Sequence, residues 1–401
     1  MTIRIQPQKL ALIFIETVLM LQVFRRLSLI GYIAVLALAY IVFVIAIYAH
    51  RRSTPPNIIK FFLFYYLALP IFSLFTHTSE EFVTAIIRYG ALMPFYYLAL
   101  THSDYIYENI ENMLKTYTLV IFASAILMFY QVVFGRISFF VEVAGRLDYE
   151  RYGSLLGSTT TYGTAALIAI FVLHDYELFS RKWKIIIEVS IIVGGILCLS
   201  KSFFINVVLA YGLIFVFKDR NGISIDMRKA FRNMIYLLIG LFILIILYKY
   251  TFVGEYFDGM LKYTTSGGTL GTEADLLERL TTRPINTFKY YNLPLLYYLL
   301  YGVGFKGYSG VLGLTQYPMC PNNYAELILT QGAPFLILII TFYISAFITA
   351  KKEKNNHSSF VNQCIPYMAI NMIAGQWSYI TVCESVITII IMTVYVKGKC
   401  R

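Results

Sequence analysis

Long apolar runs separated by short polar stretches make up most of this chain, and the runs have membrane length. A helix needs about 17 to 25 apolar residues to cross a hydrocarbon layer of about 30 Å. Runs close to this length lie near 8–24, 27–49, 58–76, 82–100, 115–134, 160–174, 183–199, 202–217, 233–250, 322–350, 362–376 and 379–396. They predict an all-α, polytopic integral membrane protein with about twelve transmembrane helices. The shortest runs are those at 160–174 and 362–376. No cleavable leader is expected, because the first run lacks a small-residue cleavage region and leads straight into the second.

The pattern is interrupted twice on a larger scale. Residues 251–321 carry Arg279, Arg283, Lys289 and Lys306, five acids between Glu255 and Glu278, and many Tyr and Gly. Residues 135–159 read GRISFFVEVAGRLDYERYGSLLGST and hold Arg136, Arg146 and Arg151. The remaining basic residues sort by side. With the N-terminus inside, the short loops around Arg51-Arg52, Arg181-Lys182, Arg228-Lys229, Lys351-Lys352 and Lys397 fall together on the cytoplasmic side, as the positive-inside rule requires. Arg25-Arg26 and Lys201 are the exceptions. Both termini are therefore expected in the cytoplasm, with 135–159 and 251–321 as extracytoplasmic loops of a single membrane-embedded domain, 1–401.

Composition agrees with a bilayer setting. The chain is 58% hydrophobic and 14% charged, against about 25% charged in soluble domains. Its +11 formal charge follows from the inside loops and does not indicate nucleic acid. The five Cys show no CxxC spacing and the five His no paired spacing, so no metal and no cofactor is expected.

Arginine held outside against the topological bias needs a reason. Arg279 and Arg283 are spaced i, i+4, which would put them on one helix face before Pro284. Two guanidinium forks on one face suit a diphosphate. The alternative is a surface helix neutralised by Glu273, Asp275 and Glu278. Likewise, Arg146 and Arg151 either meet an anion or pair locally with Glu142, Asp148 and Glu150. Glycines 302, 304 and 307 allow tight turns and close approach. No strand–helix unit surrounds them, so a dinucleotide site is rejected.

Polar groups also fall within the spans: Glu16, Arg88, Glu188, Asn206, Asn371 and Glu384. Ionisable residues at that depth are functional candidates. Arg88 either pairs with Glu188 or Glu384, or lines a lipid-diphosphate site from the outer half of its span. The outer-loop tyrosines offer faces on which sugar rings stack.

The order Arg283 … Gly302-Val303-Gly304-Phe305 … Pro321-Asn322-Asn323-Tyr324 … Gly332 resembles the late signature of the bacterial O-antigen polymerase and O-antigen ligase family. Arg151-x-Gly153 … Tyr162-Gly163 and Ser200-Lys201-Ser202 are similar to its earlier elements. The resemblance spans about Arg146 to Ala350. Pro321 stands where ligases place a His, which favours a Wzy-type polysaccharide polymerase over a ligase. Lys201 stands where an Arg is usual, and Thr160 or Thr161 where an Asn is usual.

The resemblance implies a GT-C-like architecture and metal-independent glycosyl transfer at the outer face of the bacterial cytoplasmic (inner) membrane. Undecaprenyl-diphosphate-linked glycans would be substrates, with a flippase and a chain-length regulator as partners. The expected catalytic residues are Arg283, Arg279 and Arg151, with Glu326 as a base candidate beside Asp148 and Glu150. Arg146, Arg88, Lys306, Asn322, Asn323 and Tyr324 are the expected binders of diphosphate and glycan. The rival readings are a ligase, a flippase or other secondary transporter, and a structural envelope subunit. No internal repeat of the transporter kind is visible in the sequence.

Overall fold

A computed structural model describes residues 7–26, 28–48, 50, 52–73, 92–135, 137, 152–157, 159–198, 201–218, 294–300, 302, 323–353, 355–373 and 382–400. Among these residues the regular structure is helical, without strands. The helices are α1 Pro7–Met20, α2 Leu29–Ile47, α3 Asn57–Ser73, α4 Met93–Thr101, α5 Ser103–Glu108, α6 Ile110–Phe134 and α7 Thr159–Asp175. They continue as α8 Arg181–Cys198, α9 Lys201–Lys218, α10 Leu295–Leu299, α11 Asn323–Gln331, α12 Ala333–Lys352, α13 Asn356–Ile373 and α14 Val382–Cys400. A 3-10 turn, Gln22–Arg26, joins α1 to α2. The expected span at 233–250, the first part of that at 82–100, and most of the 251–321 loop lie outside the described residues.

Helix α7 sits at the centre. Every residue from Tyr162 to Leu173 is buried, and α6, α8, α9 and α13 all pack on it. A helix that is apolar all round belongs inside a bundle. Its run of Ala165, Ala166 and Ala169 lets neighbours come close, as small residues do between membrane helices. One close approach is at Tyr162, whose hydroxyl donates to the Ile191 carbonyl at 3.2 Å. A Cβ placed on Gly194 would lie 2.6 Å from that hydroxyl and 2.9 Å from the Ala125 Cβ. Three helices therefore meet there, and only glycine fits. Helix α14 is likewise buried from Glu384 to Val396.

The outer helices show the reverse pattern. On α2 the residues Tyr32, Leu36, Ala39, Phe43 and Ile47 form a buried stripe with the 3–4 spacing of one helix face. Its other face is apolar too: Ile30, Leu38, Ile41 and Ile45 are exposed. Helix α12 shows Ile337, Ile340, Ile344 and Ile348 outward in the same way. Such faces suit lipid rather than water. By length and composition, Ile30–Ile47, Ile110–Phe134 and Ala333–Lys352 are able to cross a membrane. The apolar helices Thr161–Asp175 and Asn206–Phe217 are shorter.

Polar contacts gather one set of loops at one end. The Tyr105 hydroxyl donates to the Gln8 carbonyl at 2.6 Å, and Ser53 and Ser103 share a 2.7 Å bond. Lys397 pairs with Asp104, and the Lys115 ammonium lies 5.9 Å from the Phe179 ring centroid. Tyr176 and His357 Nδ1 are 2.8 Å apart. These loops are the ones the charge pattern assigns to a single side.

Two expectations change. The tenth apolar run is not one helix, because it breaks at Gly332 (φ 83°) between α11 and α12. The fifth span starts earlier, at Ile110, behind a short α5 that the apolar pattern does not show. The Ser53 hydroxyl accepts from the Ser103 N–H at 3.2 Å, a long-range cap that sequence proximity cannot reveal. Arg88, offered above as a partner for Glu188 or Glu384, lies outside the described residues, and among those residues Glu188 makes other bonds. Its Oε1 accepts from His174 Nε2 at 3.0 Å and from the Tyr211 hydroxyl at 2.7 Å, tying α7, α8 and α9 together.

Two predictions follow from these networks. Glu188→Leu strips a shared acceptor from two donors and is expected to cost about 1–3 kcal/mol. Glu16, fully buried and with neither carboxyl oxygen hydrogen-bonded among the described residues, leaves no partner behind. Glu16→Leu is therefore expected to match or exceed wild type in a thermal melt of the detergent-solubilised chain; a loss like that of Glu188→Leu would contradict the assignment. The second prediction concerns pH. Burial holds His357, ahead of the apolar run at 362–376, below its ordinary value, with Glu111 and Glu353 opposing. The unfolded chain then binds this proton more readily, so His357 favours the fold above about pH 6.5, the ordinary His value. That contribution is lost as pH falls through the depressed folded value. His357→Gln should flatten this part of the stability profile.

Candidate functional site

The late motif is built on the broken helix. Helix α11 opens at Asn323, which is buried, and its amide Nδ2 donates to Glu326 Oε2 at 2.8 Å. This bond joins two of the expected site residues in the first turn. It orients the Glu326 carboxylate, and the N-terminal dipole of the helix favours negative charge there. Tyr324 serves a different purpose: its hydroxyl donates to the Ala369 carbonyl at 2.9 Å and anchors α11 to α13. The Thr330 hydroxyl donates to the Glu326 carbonyl at 2.6 Å.

Gly332 then ends α11 with positive φ, its N–H bonded to the Ile328 carbonyl at 3.0 Å. A glycine in that conformation is the common helix terminator. Pro334 starts α12, where its missing N–H costs nothing. The break separates α11 from α12, which by itself is long enough to cross a membrane.

Gly302 packs on this break. Its φ is 65°, its N–H bonds to the Tyr297 carbonyl at 2.6 Å, and a Cβ there would collide with the backbone of Gln331 and Thr330. Gly302, from the Gly-Val-Gly-Phe element, thus touches the end of the helix that begins with the Asn-Asn-Tyr element. Two motif segments separated in sequence are in contact.

The early motif lies at the same end of the bundle. The Gly153 carbonyl accepts from Gln131 Nε2 at 2.8 Å, and the Leu155 carbonyl accepts from the Val23 N–H at 3.2 Å. The segment following Arg151 is thereby fastened to the far end of α6 and to the α1–α2 turn. Ala369, the anchor of Tyr324, is about 18 Å along α13 from His357 at ~1.5 Å per residue. Both motif segments therefore sit opposite the basic loops. The interior at this end is also polar: Asn206 Nδ2 donates to Asn371 Oδ1 at 2.6 Å, and both side chains are buried.

Of the expected site residues, the structure brings together Asn323 and Glu326, while Tyr324 turns to α13. Arg283, Arg279, Arg151, Arg146, Arg88, Lys306 and Asn322 lie outside the described residues. Tyr162, read as a motif residue, works as a packing and hydrogen-bonding post between α7 and α8. Gln331 escaped the site reading of the sequence. It is 1% exposed, and among the described residues neither its Oε1 nor its Nε2 has a hydrogen-bond partner. The signal was a polar residue beside a glycine within an apolar run.

Because Gly302 has neither room nor the right φ for a side chain, Gly302→Ala is expected to destabilise by about 1–3 kcal/mol. The thermal melt should fall while Gly212→Ala, which meets open space, costs little; equal melts would remove the contact between the two motif segments.

No protein-family model matches the chain and no curated protein matches it, so its functional reading rests on its own residues.

Proposed function

We propose that the chain is a Wzy-type polysaccharide polymerase of the bacterial cytoplasmic membrane, joining undecaprenyl-diphosphate-linked repeat units on the outer face. In the reaction, a hydroxyl of one lipid-linked unit attacks the reducing-end anomeric carbon of another. The bond from that carbon to the diphosphate oxygen breaks, and polyprenyl diphosphate leaves with the electron pair. The attacking hydroxyl loses its proton, and the glycan grows at its lipid-proximal end.

The observation that most supports this reading is the seat of Gly302 on the last turn of α11, just before Gly332. A resemblance carried by separated short motifs gains weight when those motifs fold onto one another. The attachment of Gly153 at the same end of the bundle adds to it. In this reading Arg283, Arg279, Arg151 and Arg146 neutralise the leaving diphosphate, with Arg88 and Lys306 supporting. Fixed guanidinium donors stabilise developing charge without a metal. Glu326, oriented by Asn323, stands as the base candidate. Asn322, Asn323 and Tyr324 form the mouth. The twelve-span topology, the GT-C-like architecture and cytoplasmic termini belong to the same proposal.

A deletion strain separates the readings. A single repeat unit on the cell surface identifies a polymerase, polymer stranded on the lipid carrier identifies a ligase, and loss of export identifies a flippase. Within the polymerase reading, Arg283→Ala and Arg151→Ala are expected to lower polymer formation about 10²- to 10³-fold at equal membrane expression. Lysine at either position should rescue only in part, because it lacks the bidentate fork. Full-length polymer from both alanine variants would overturn the assigned site.

A further inference from the structure

We infer that the end of the bundle carrying the basic loops is a docking surface for anionic phospholipid. Arg181, Lys182 and Trp183 of α8 meet the headgroups there, with Lys351 and Lys352 of α12 and Lys399 of α14. The inference goes beyond the polymerase reading and rests only on the membrane setting of the chain. Helix α8 supplies the first half of the surface. Its Ile185, Ile186 and Val189 are exposed, and their spacing puts them on one face with Lys182. Arg181 and Lys182 stand exposed at the head of that apolar stripe, and the Trp183 ring beside them is 55% exposed. A cation in the first turn opposes the helix dipole, so these two residues do not serve the helix itself. Nor do they serve a carboxylate, since neither forms an ion pair among the described residues. Glu177 is exposed in the preceding loop, but Arg181, Lys182 and Lys184 outnumber it.

Helix α12 repeats the pattern. Its outward Ile337, Ile340, Ile344 and Ile348 lead to Lys351 and Lys352, both exposed. Ala333–Lys352 has 20 residues, which span ~30 Å, the thickness of the hydrocarbon layer. A helix of that length brings its terminal lysines to headgroup level. Lys399 joins them because α14 packs on the same turn: a Cβ on Gly398 would lie 2.6 Å from Thr349 Cγ2. Lys397, by contrast, is held by Asp104 and the Tyr107 ring. The His357 ring contacts both Tyr107 and Tyr176, which sets the start of α8 and the end of α12 at one end of the bundle. Two apolar stripes thus run into cations at the same end, one of them beside an exposed indole. A bilayer presents the matching sequence of acyl chain, interfacial zone where Trp sits, and phosphate. Charge selects the lipid, because each basic residue near the surface favours an anionic leaflet about 5-fold.

The test uses the full chain carrying Trp377→Phe, which leaves Trp183 as the single Trp, in phosphatidylcholine bilayers containing a brominated lipid. Bromine quenches an indole that it touches. At equal mole fraction, brominated phosphatidylglycerol is expected to quench Trp183 more than brominated phosphatidylcholine, with a relative binding constant of about 5 or more. Arg181→Gln/Lys182→Gln keeps the apolar stripe and should bring the two lipids to parity. Salt at about 1 M, where the Debye length is about 3 Å, should do the same. The corner of α12 and α14 is read by melting. Wild type should melt higher with phosphatidylglycerol than in phosphatidylcholine alone, and Lys351→Gln/Lys352→Gln/Lys399→Gln should narrow that gap. Equal quenching by the two lipids overturns the inference and leaves the charges a topological role only. A preference or a melting gap that survives the substitutions overturns it as well. Absence of quenching by either lipid would mean that another chain covers Trp183. Displacement of phosphatidylglycerol by inorganic phosphate at constant ionic strength would mean a free-anion site, and either result also overturns it. None of these readouts depends on glycosyl transfer, so the deletion strain decides the polymerase reading separately.

Discussion

The close approach of α6, α7 and α8 around Tyr162 is the contact on which the rest of the bundle depends. In a bilayer, helices gain little from hiding apolar surface, since lipid is as apolar as leucine. They associate through tight packing and satisfied polar groups. Gly194 and Ala125 supply the closeness, and the Tyr162 hydroxyl supplies the bond across to Ile191. With α7 seated there, its buried face from Tyr162 to Leu173 becomes the surface against which α9 and α13 are placed. At its far end Asp175 Oδ1 accepts from Ser359 and Gln363, each at 3.1 Å, so the position of α13 is held at both polar and apolar contacts.

That position decides the candidate site. Tyr324 fastens α11 to the α13 carbonyl of Ala369, and α11 in turn carries Asn323, Glu326 and Gln331. A polar end is thereby built onto a predominantly apolar scaffold. Asn206 and Asn371 satisfy one another within it. The opposite end carries the lysine-bearing loops and a separate network around His357, Tyr176 and Lys397. Segregating the two kinds of polar chemistry to opposite ends is what a protein with different surroundings on its two sides requires.

Much of this was legible beforehand, for identifiable reasons. The apolar runs at 183–199 and 202–217 correspond closely to Arg181–Cys198 and Lys201–Lys218, because helix length and hydropathy are local properties. The pairing of loop ends followed from charge, which is also local. The site was legible only in part. Asn323 and Glu326 are three residues apart, so their bond was within reach of a helical reading. Gly302 against Gln331 was not, since nothing in either segment specifies which helix end it meets. The break at Gly332 was overlooked because Leu, Ile and Phe on either side keep the hydropathy high. The Glu188 network was missed for a related reason: charge invites a search for an arginine, and nothing local shows that a histidine and a tyrosine from two other helices meet the carboxylate.

The opening pattern of apolar runs therefore anticipates the helical class and the place of several helices, such as Arg181–Cys198 and Lys201–Lys218, because hydrophobicity and helix pitch act along the chain. Tertiary packing decides what those properties leave degenerate. It makes α7 and α14 the interior helices while α2 and α12 keep apolar outer faces, although all four are apolar along most of their length. It also decides that a long apolar run ends early at one glycine and that a distant glycine closes on that end. Gln331 thereby acquires its burial, which only the assembled neighbours can create.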